Sequence, residues 1–124
     1  MEFFADIPAS PAEAELKQQL SISNLPALCH SIETVLCDSI DNGRIYCLWG
    51  EFDISREEIR HGVRFSLSTC PNALAWTVTT DGDNGTLRVH CTINTPTPDG
   101  DFVESIEQFV SDWARGLQKT FIHA

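Results

Sequence analysis

The hydrophobic pattern of this chain changes its period twice, and this change constrains the fold more than any single motif does. Apolar residues recur at helical spacing in the first third and again after residue 100, whereas between these regions they alternate with polar residues. Helical spacing indicates amphipathic helices, and alternation indicates strands with one packed face. Helices at both ends of a strand-rich middle are typical of an α+β protein built in two layers.

Two helices are predicted in the N-terminal third. The sequence SPAE at residues 10–13 is typical of a helix start, because serine can cap the first turn and proline suits its first position. It predicts a helix over residues 11–20. A second helix is predicted from residues 23–26 to residues 41–43, where glycine favours a C-terminal cap. The apolar stripe of this second helix comprises Leu25, Leu28, Cys29, Ile32 and Leu36.

Four strands are predicted in the middle of the chain, and their short connections favour an antiparallel meander. The first strand is apolar on both sides, so it is either buried on both faces or contains a bulge, for which Gly50 is the natural place. Residues 55–61 are expected to form a polar connection with at most one helical turn. Asn84-Gly85 predicts the hairpin turn between the last two strands. The four strands cover residues 44–55, 62–68, 73–80 and 86–95.

The most regular apolar stripe follows two prolines that end the sheet. Pro96 and Pro98 cannot donate backbone hydrogen bonds to a ladder, and Asp101 with Glu104 has the spacing of a capping box. The stripe of this C-terminal helix comprises Phe102, Ile106, Phe109, Val110, Trp113 and Leu117. Together the elements predict one α+β domain over residues 1–124. It is a two-layer sandwich, in which a four-stranded antiparallel meander carries two N-terminal helices and one C-terminal helix packed on one face.

The charge balance and the cysteines limit the expected partners and compartment. Eight Lys and Arg against 18 Asp and Glu leave a net charge of −10, which repels phosphate backbones and anionic headgroups. Neither nucleic acid nor a membrane is therefore expected as a partner. Five cysteines form an odd set without Cys-x-x-Cys spacing, and no basic residue precedes Lys17 to begin a leader. These features predict reduced thiols in the cytoplasm.

No catalytic residue, metal site or cofactor is predicted. Residues 81–85 (DGDNG) resemble the start of a calcium loop, but the distal glutamate is missing and turn chemistry explains the composition. Cys–His neighbours at 29–30 and 90–91 are candidate zinc ligands, yet adjacent residues of a strand point to opposite faces. Cys70 is the one cysteine whose predicted turn exposes a thiol, and His61 lies too far along the chain to activate it. A non-catalytic protein is therefore favoured.

The outer face of the predicted sheet is the surface on which binding is expected. Its side chains are small or polar, so a second sheet or a partner segment can approach closely, and an aromatic side chain would anchor the contact. The alternative is an ordinary solvated sheet face. The residues expected to bind a partner there are Tyr46, Trp49, Arg64, Ser66, Thr77, Arg88 and His90.

The end of the chain carries a family resemblance. From the fourth strand through residues 101–113 (DFVESIEQFVSDW) it resembles the tail of the small acidic chaperones of type III secretion. The resemblance covers roughly the last third of the chain and implies a dimer that binds secreted effectors. The helix that those chaperones have between their strand groups has no counterpart here beyond residues 55–61.

Three functions are open from the sequence. The first is a non-catalytic protein-binding module of chaperone or adaptor type, homodimeric through the outer sheet face. The alternative is a small enzyme or ligand-binding domain with a pocket between helices and sheet, lined by Cys or His. The third is an acidic immunity protein that neutralises a basic toxin.

Overall fold

The computed structural model describes residues 1–122, which form one antiparallel sheet with helices packed against a single face. The sheet has seven strands in the neighbour order β1-β7-β6-β5-β4-β3-β2. The meander from β2 to β7 therefore follows sequence order, and β1 is added beside β7. The strands are β1 (Glu2–Ile7), β2 (Ile32–Asp38), β3 (Asn42–Cys47), β4 (Gly50–Ile59), β5 (Gly62–Leu67), β6 (Ala75–Asp81) and β7 (Thr86–Thr92).

The helices differ greatly in length. The short helices α1 (Glu13–Gln19) and α2 (Leu25–Leu28) flank a 3-10 turn at Ile22–Asn24, and α3 (Gly100–Phe121) ends the chain. The predicted side-chain caps do not form, since Ala12 and Asp99 occupy the N-cap positions without a side-chain hydrogen bond. The predicted stripe of α3 is nevertheless buried from Ile106 to Leu117. Among the described residues, no helix combines the length and the apolar character needed to span a bilayer.

The prediction of a second helix is wrong beyond Leu28. The chain leaves α2 there and continues as β2, an edge strand that pairs with β3. Leu36, which the helical stripe would bury, is 48% exposed. Residues 32–35 contain three β-branched side chains, which favour a strand. The spacing of the apolar residues suits both structures, and the backbone pairing with β3 decides between them.

The predicted first strand is in fact a hairpin. β3 and β4 are joined by a two-residue turn at Leu48–Trp49. The predicted strand therefore contains two antiparallel strands, and its apolar residues are divided between them. Gly50 has φ of 113° because the turn requires it, and not because the strand bulges. Residues 55–59 continue β4, where Arg56 donates to the carbonyl oxygens of Leu20 (2.7 Å) and Lys17 (2.8 Å) at the end of α1.

The strand β1 was not predicted. It pairs with β7 over its whole length, from Glu2 opposite Thr92 to Ile7 opposite Leu87. Together with the division of the first predicted strand and the conversion of residues 32–38, it raises the sheet from four strands to seven. The α+β class with an antiparallel sheet and a long C-terminal helix is confirmed, and the four-stranded sheet is corrected.

An aromatic cluster fills the space between the sheet and α3. We define it as Phe65 of β5, Trp76 of β6, and Phe109 and Trp113 of α3, all at most 1% exposed. Their ring centroids lie 5.4 Å apart for Phe65–Trp76, 4.9 Å for Trp76–Phe109 and 6.1 Å for Trp76–Trp113. These separations are those of interacting aromatic pairs. The cluster therefore joins the most regular helix to the central strands.

Candidate functional site

The outer face of the sheet brings together most of the predicted binding residues. Arg64 lies opposite Thr77, and Thr77 lies opposite His90, so the three form one row across β5, β6 and β7. Ser66 and Arg88 have the same parity and lie on the same face. Tyr46 is 46% exposed on this face, but on β3, where it lies opposite Glu51. It therefore stands apart from the row.

Trp49 does not lie on the outer face, and the expectation that it anchors a partner there is corrected. It occupies the β3–β4 turn, which folds over the first half of α3. Its ring centroid is 5.0 Å from that of Phe109, and its indole Nε1 donates to Ser105 Oγ at 2.8 Å. Trp49 therefore closes one end of the core, because a hairpin turn redirects its side chain from the sheet to the helix.

Two basic side chains of the outer face, Arg88 and His90, contact carboxylates of β1. Arg88 Nε donates to Asp6 Oδ1 at 2.8 Å, and this hydrogen bond holds the pKa of the Asp6 carboxyl below its usual value. His90 Nε2 lies 3.0 Å from Glu2 Oε1, and the His90 ring stacks on Phe4 with centroids 4.4 Å apart. A partner that uses Arg88 or His90 would have to compete with these contacts inside the protein.

An apolar groove of about 390 Å³ lies between β1 and α3. Phe3 lies opposite Cys91 in the sheet, and Cys91 lies opposite Trp76, so the β1 wall of the groove adjoins the aromatic cluster. Phe3 is half-buried and packs against the core. The groove is lined by Phe3, Phe4, Ala5, Glu107, Val110, Ser111 and Ala114.

Two indole N–H groups of the aromatic cluster are unpaired. The Nε1 atoms of Trp76 and Trp113 are buried, and neither has a hydrogen-bond partner within residues 1–122. Buried indole N–H groups usually find an acceptor, as that of Trp49 does at Ser105. The hydrophobic pattern predicts burial of both tryptophans, but it carries no signal for the missing acceptors.

The buried charge on α3 is satisfied within the protein. Asp112, which is 4% exposed, accepts hydrogen bonds from Ser31 Oγ and from Gln108 Nε2. Ser31 and Asp112 are the polar or charged residues that are buried as whole residues in the described range. The side chain of Arg56 is also only 8% exposed, and its guanidinium is engaged by the carbonyl oxygens of Leu20 and Lys17 and by Glu58. Among the described residues, the interior therefore offers two unpaired neutral donors, whereas its positive charge already has partners.

A larger polar cavity, of about 660 Å³, lies at the β4–β5 and β6–β7 turns. Asp81 accepts hydrogen bonds there from the backbone of Asp83 and from the backbone and side chain of Asn84, and these bonds lower the pKa of its carboxyl. The carboxylate of Asp81, which would be a ligand in a calcium loop, therefore accepts hydrogen bonds from its own turn instead. In the described part of the chain, no three His, Cys, Asp or Glu side chains are grouped so as to hold a metal ion.

The five thiols should differ strongly in reactivity. Burial raises the pKa of the Cys29 and Cys91 thiols to about 12, whereas Cys37 is exposed. Because alkylation needs an accessible thiolate, iodoacetamide at pH 9 should label the exposed Cys37 and leave Cys29 and Cys91 unlabelled. Peptide mass spectrometry measures this, and in urea all five cysteines should react. Labelling of native Cys91 at the rate of Cys37 would contradict the described burial.

The fold belongs to a known structural class, although the sequence itself matches neither a family model nor a curated protein. A seven-stranded antiparallel sheet with a long C-terminal helix against one face is a START/Bet v1-like fold. This chain is similar to three solved structures from bacteria. Identities of this size show a shared fold alone.

The solved structures cover nearly the whole chain. XoxI from Bacillus cereus is 15% identical, with a TM-score of 0.67 over 98% of this chain and 94% of its own. An uncharacterised protein from Bacillus thuringiensis is 14% identical, with a TM-score of 0.67 over 99% and 98%. A START superfamily protein from Mycobacterium smegmatis is 12% identical, with a TM-score of 0.66 over 98% and 95%.

Proposed function

We propose that this protein binds a small apolar molecule between the sheet and α3, with entry through the groove between β1 and α3. The observation that carries the proposal is that this apolar groove adjoins the buried aromatic cluster. The fold supports it, because START/Bet v1-like domains typically hold ligands in a pocket between the sheet and the C-terminal helix. This is the ligand-binding alternative of the sequence hypotheses.

The path from the groove to the cluster passes Phe3. This side chain belongs to the edge strand β1 and is only half-buried, so it can swing outward at less cost than a central core residue. A ligand that takes its place contacts Val110 and Ala114 on the helix side. Apolar surface removed from water contributes about 25 cal/mol per Å², which is the expected source of affinity.

The proposal is tested with the neutral fluorescent probe N-phenyl-1-naphthylamine. Its emission should rise on binding to the wild-type protein. Ala114→Phe fills the groove and should weaken binding at least about tenfold, which corresponds to ~1.4 kcal/mol. Gln118→Phe adds the same ring at an exposed position of α3 and serves as the matched control.

The comparison of the two variants distinguishes binding in the groove from non-specific binding to apolar surface. If the wild-type protein does not bind the probe, or if Ala114→Phe binds it as well as Gln118→Phe does, the proposal fails. Thermal unfolding of both variants establishes that each is folded before the comparison is made.

The remaining hypotheses stay predictions. Partner binding and homodimerisation through the outer face, a chaperone or adaptor role, and an immunity role rest on the sequence arguments alone. The same holds for the cytoplasmic location and for the absence of nucleic-acid and membrane partners. Phe4, which is 53% exposed beside His90, is the apolar residue that such an outer-face contact would cover.

A further inference from the structure

We infer that the ligand is a neutral apolar molecule that carries a carbonyl-type oxygen, which accepts hydrogen bonds from the indole N–H groups of Trp76 and Trp113. This inference rests on the proposed function and adds the chemical class of the ligand. Both side chains are at most 1% exposed, and both Nε1 atoms lack a partner among the described residues. An indole N–H donates only, so the missing group must be an acceptor.

The aromatic rings around these two N–H groups are only weak hydrogen-bond acceptors. Trp76 meets Phe109 edge-on, with centroids 4.9 Å apart and an interplanar angle of 78°. Hydrogen bonds to an aromatic face are second-order interactions. The Trp76 and Trp113 centroids are 6.1 Å apart, so one compact ligand can reach both rings. A ligand that displaces Phe3 and places its oxygen beside these rings would replace the lost hydration of the donors.

The charge of the interior favours a neutral ligand over an anion. The cation of the inner sheet face, Arg56, lies opposite Phe65 with its side chain 8% exposed, but its guanidinium already donates to the carbonyl oxygens of Leu20 and Lys17 and to Glu58. Asp112 is buried on α3, and Glu107 lines the groove. The chain as a whole carries a net charge of −10. A carboxylate or phosphate would lose its hydration without gaining an opposite charge. A ketone, quinone or ester has the required acceptor and none of this penalty.

Fluorenone and fluorene provide a matched pair of probes, because they differ by the carbonyl group in an otherwise similar rigid frame. By isothermal titration calorimetry the wild-type protein should prefer fluorenone by about three- to tenfold, the range expected for hydrogen bonds to buried donors. Fluorene-9-carboxylate should bind more weakly than fluorene. In a ¹H–¹⁵N spectrum the indole resonances of Trp76 and Trp113 should shift with fluorenone far more than with fluorene.

Trp49 is the internal control in that spectrum, because its indole already donates to Ser105. Trp76→Phe and Trp113→Phe keep a ring and remove the donor. Each variant should reduce the preference for fluorenone and still bind fluorene, while Trp49→Phe should retain the preference. If one of these variants does not fold, the indole shifts of the wild-type protein decide the question.

The possible results are distinguishable. Equal binding of fluorenone and fluorene by the wild-type protein, or a preference unchanged in both Trp76→Phe and Trp113→Phe, overturns this inference and leaves the proposed function standing. Failure of both probes and of N-phenyl-1-naphthylamine to bind overturns the proposed function itself.

Discussion

Gly116→Ala should destabilise the protein by about 3 kcal/mol or more, although alanine favours a helix by up to ~1 kcal/mol over glycine. A Cβ at this position of α3 would lie 1.7 Å from the carbonyl oxygen of Leu28. That oxygen is backbone, so no change of rotamer relieves the overlap, and α2 and α3 must separate. The free energy of unfolding, measured by urea denaturation followed by circular dichroism, checks this expectation.

Gly100→Ala is the matched control for this prediction. Gly100 is the first residue of the same helix, and a Cβ there would meet no atom within 4 Å. The substitution should be neutral or stabilise the protein slightly, by up to about 1 kcal/mol. A Gly116→Ala variant as stable as the Gly100→Ala variant would mean that α2 does not pack this closely on α3.

Trp76→Ala should reduce the free energy of unfolding by about 3–5 kcal/mol, the range measured for aromatic side chains removed from protein cores. Trp76 is 1% exposed and lies among Phe65, Phe109 and Trp113, so its loss leaves a cavity at the centre of the aromatic cluster. Added indole should occupy that cavity and recover part of the stability, because a ligand that binds only the folded state stabilises it.

Phe4→Ala provides the comparison for this prediction. Phe4 is 53% exposed on the outer face, so its truncation should change the free energy of unfolding by less than about 1 kcal/mol. Thermal and urea unfolding of the two variants measure the difference. Similar stabilities, or no recovery of Trp76→Ala by indole, would show that Trp76 is not packed as described.

Local patterns were sufficient to predict the helix and strands in the second half of the chain. The helix α3 carries its signal in its own residues, because an apolar stripe over more than four turns suits no other structure. The strands β5, β6 and β7 alternate regularly and are separated by recognisable turns. Their partners are neighbours in sequence, so the correct pairing required no long-range information.

The first half of the chain was harder to predict because its structure depends on distant or competing contacts. β1 is held by β7, more than 80 residues away, and its own pattern is short. Residues 25–36 combine helical spacing with β-branched side chains, and only the pairing of β2 with β3 resolves the conflict. The hairpin at Leu48–Trp49 was not predicted, because its two turn residues are apolar and only Gly50 beside them is typical of a turn.

The candidate site, like the fold, could be predicted from local patterns only in part. Alternation placed Arg64, Thr77 and His90 on one face, but it could not show that Asp6 and Glu2 of β1 contact Arg88 and His90. Periodicity predicted that Trp113 lies on the apolar stripe of the C-terminal helix, and Trp76 falls within the predicted strand 73–80. Whether their N–H groups find acceptors depends on ring orientations set by the packing of α3 on the sheet.

The amino-acid order alone determined an α+β chain with a long amphipathic C-terminal helix and a central antiparallel meander, because these elements follow from periods of a few residues. The tertiary structure decided the number of strands, the course of the chain after Leu28 and the groove beside the aromatic cluster. Each of these depends on backbone pairing or side-chain packing between distant residues, which local spacing does not encode.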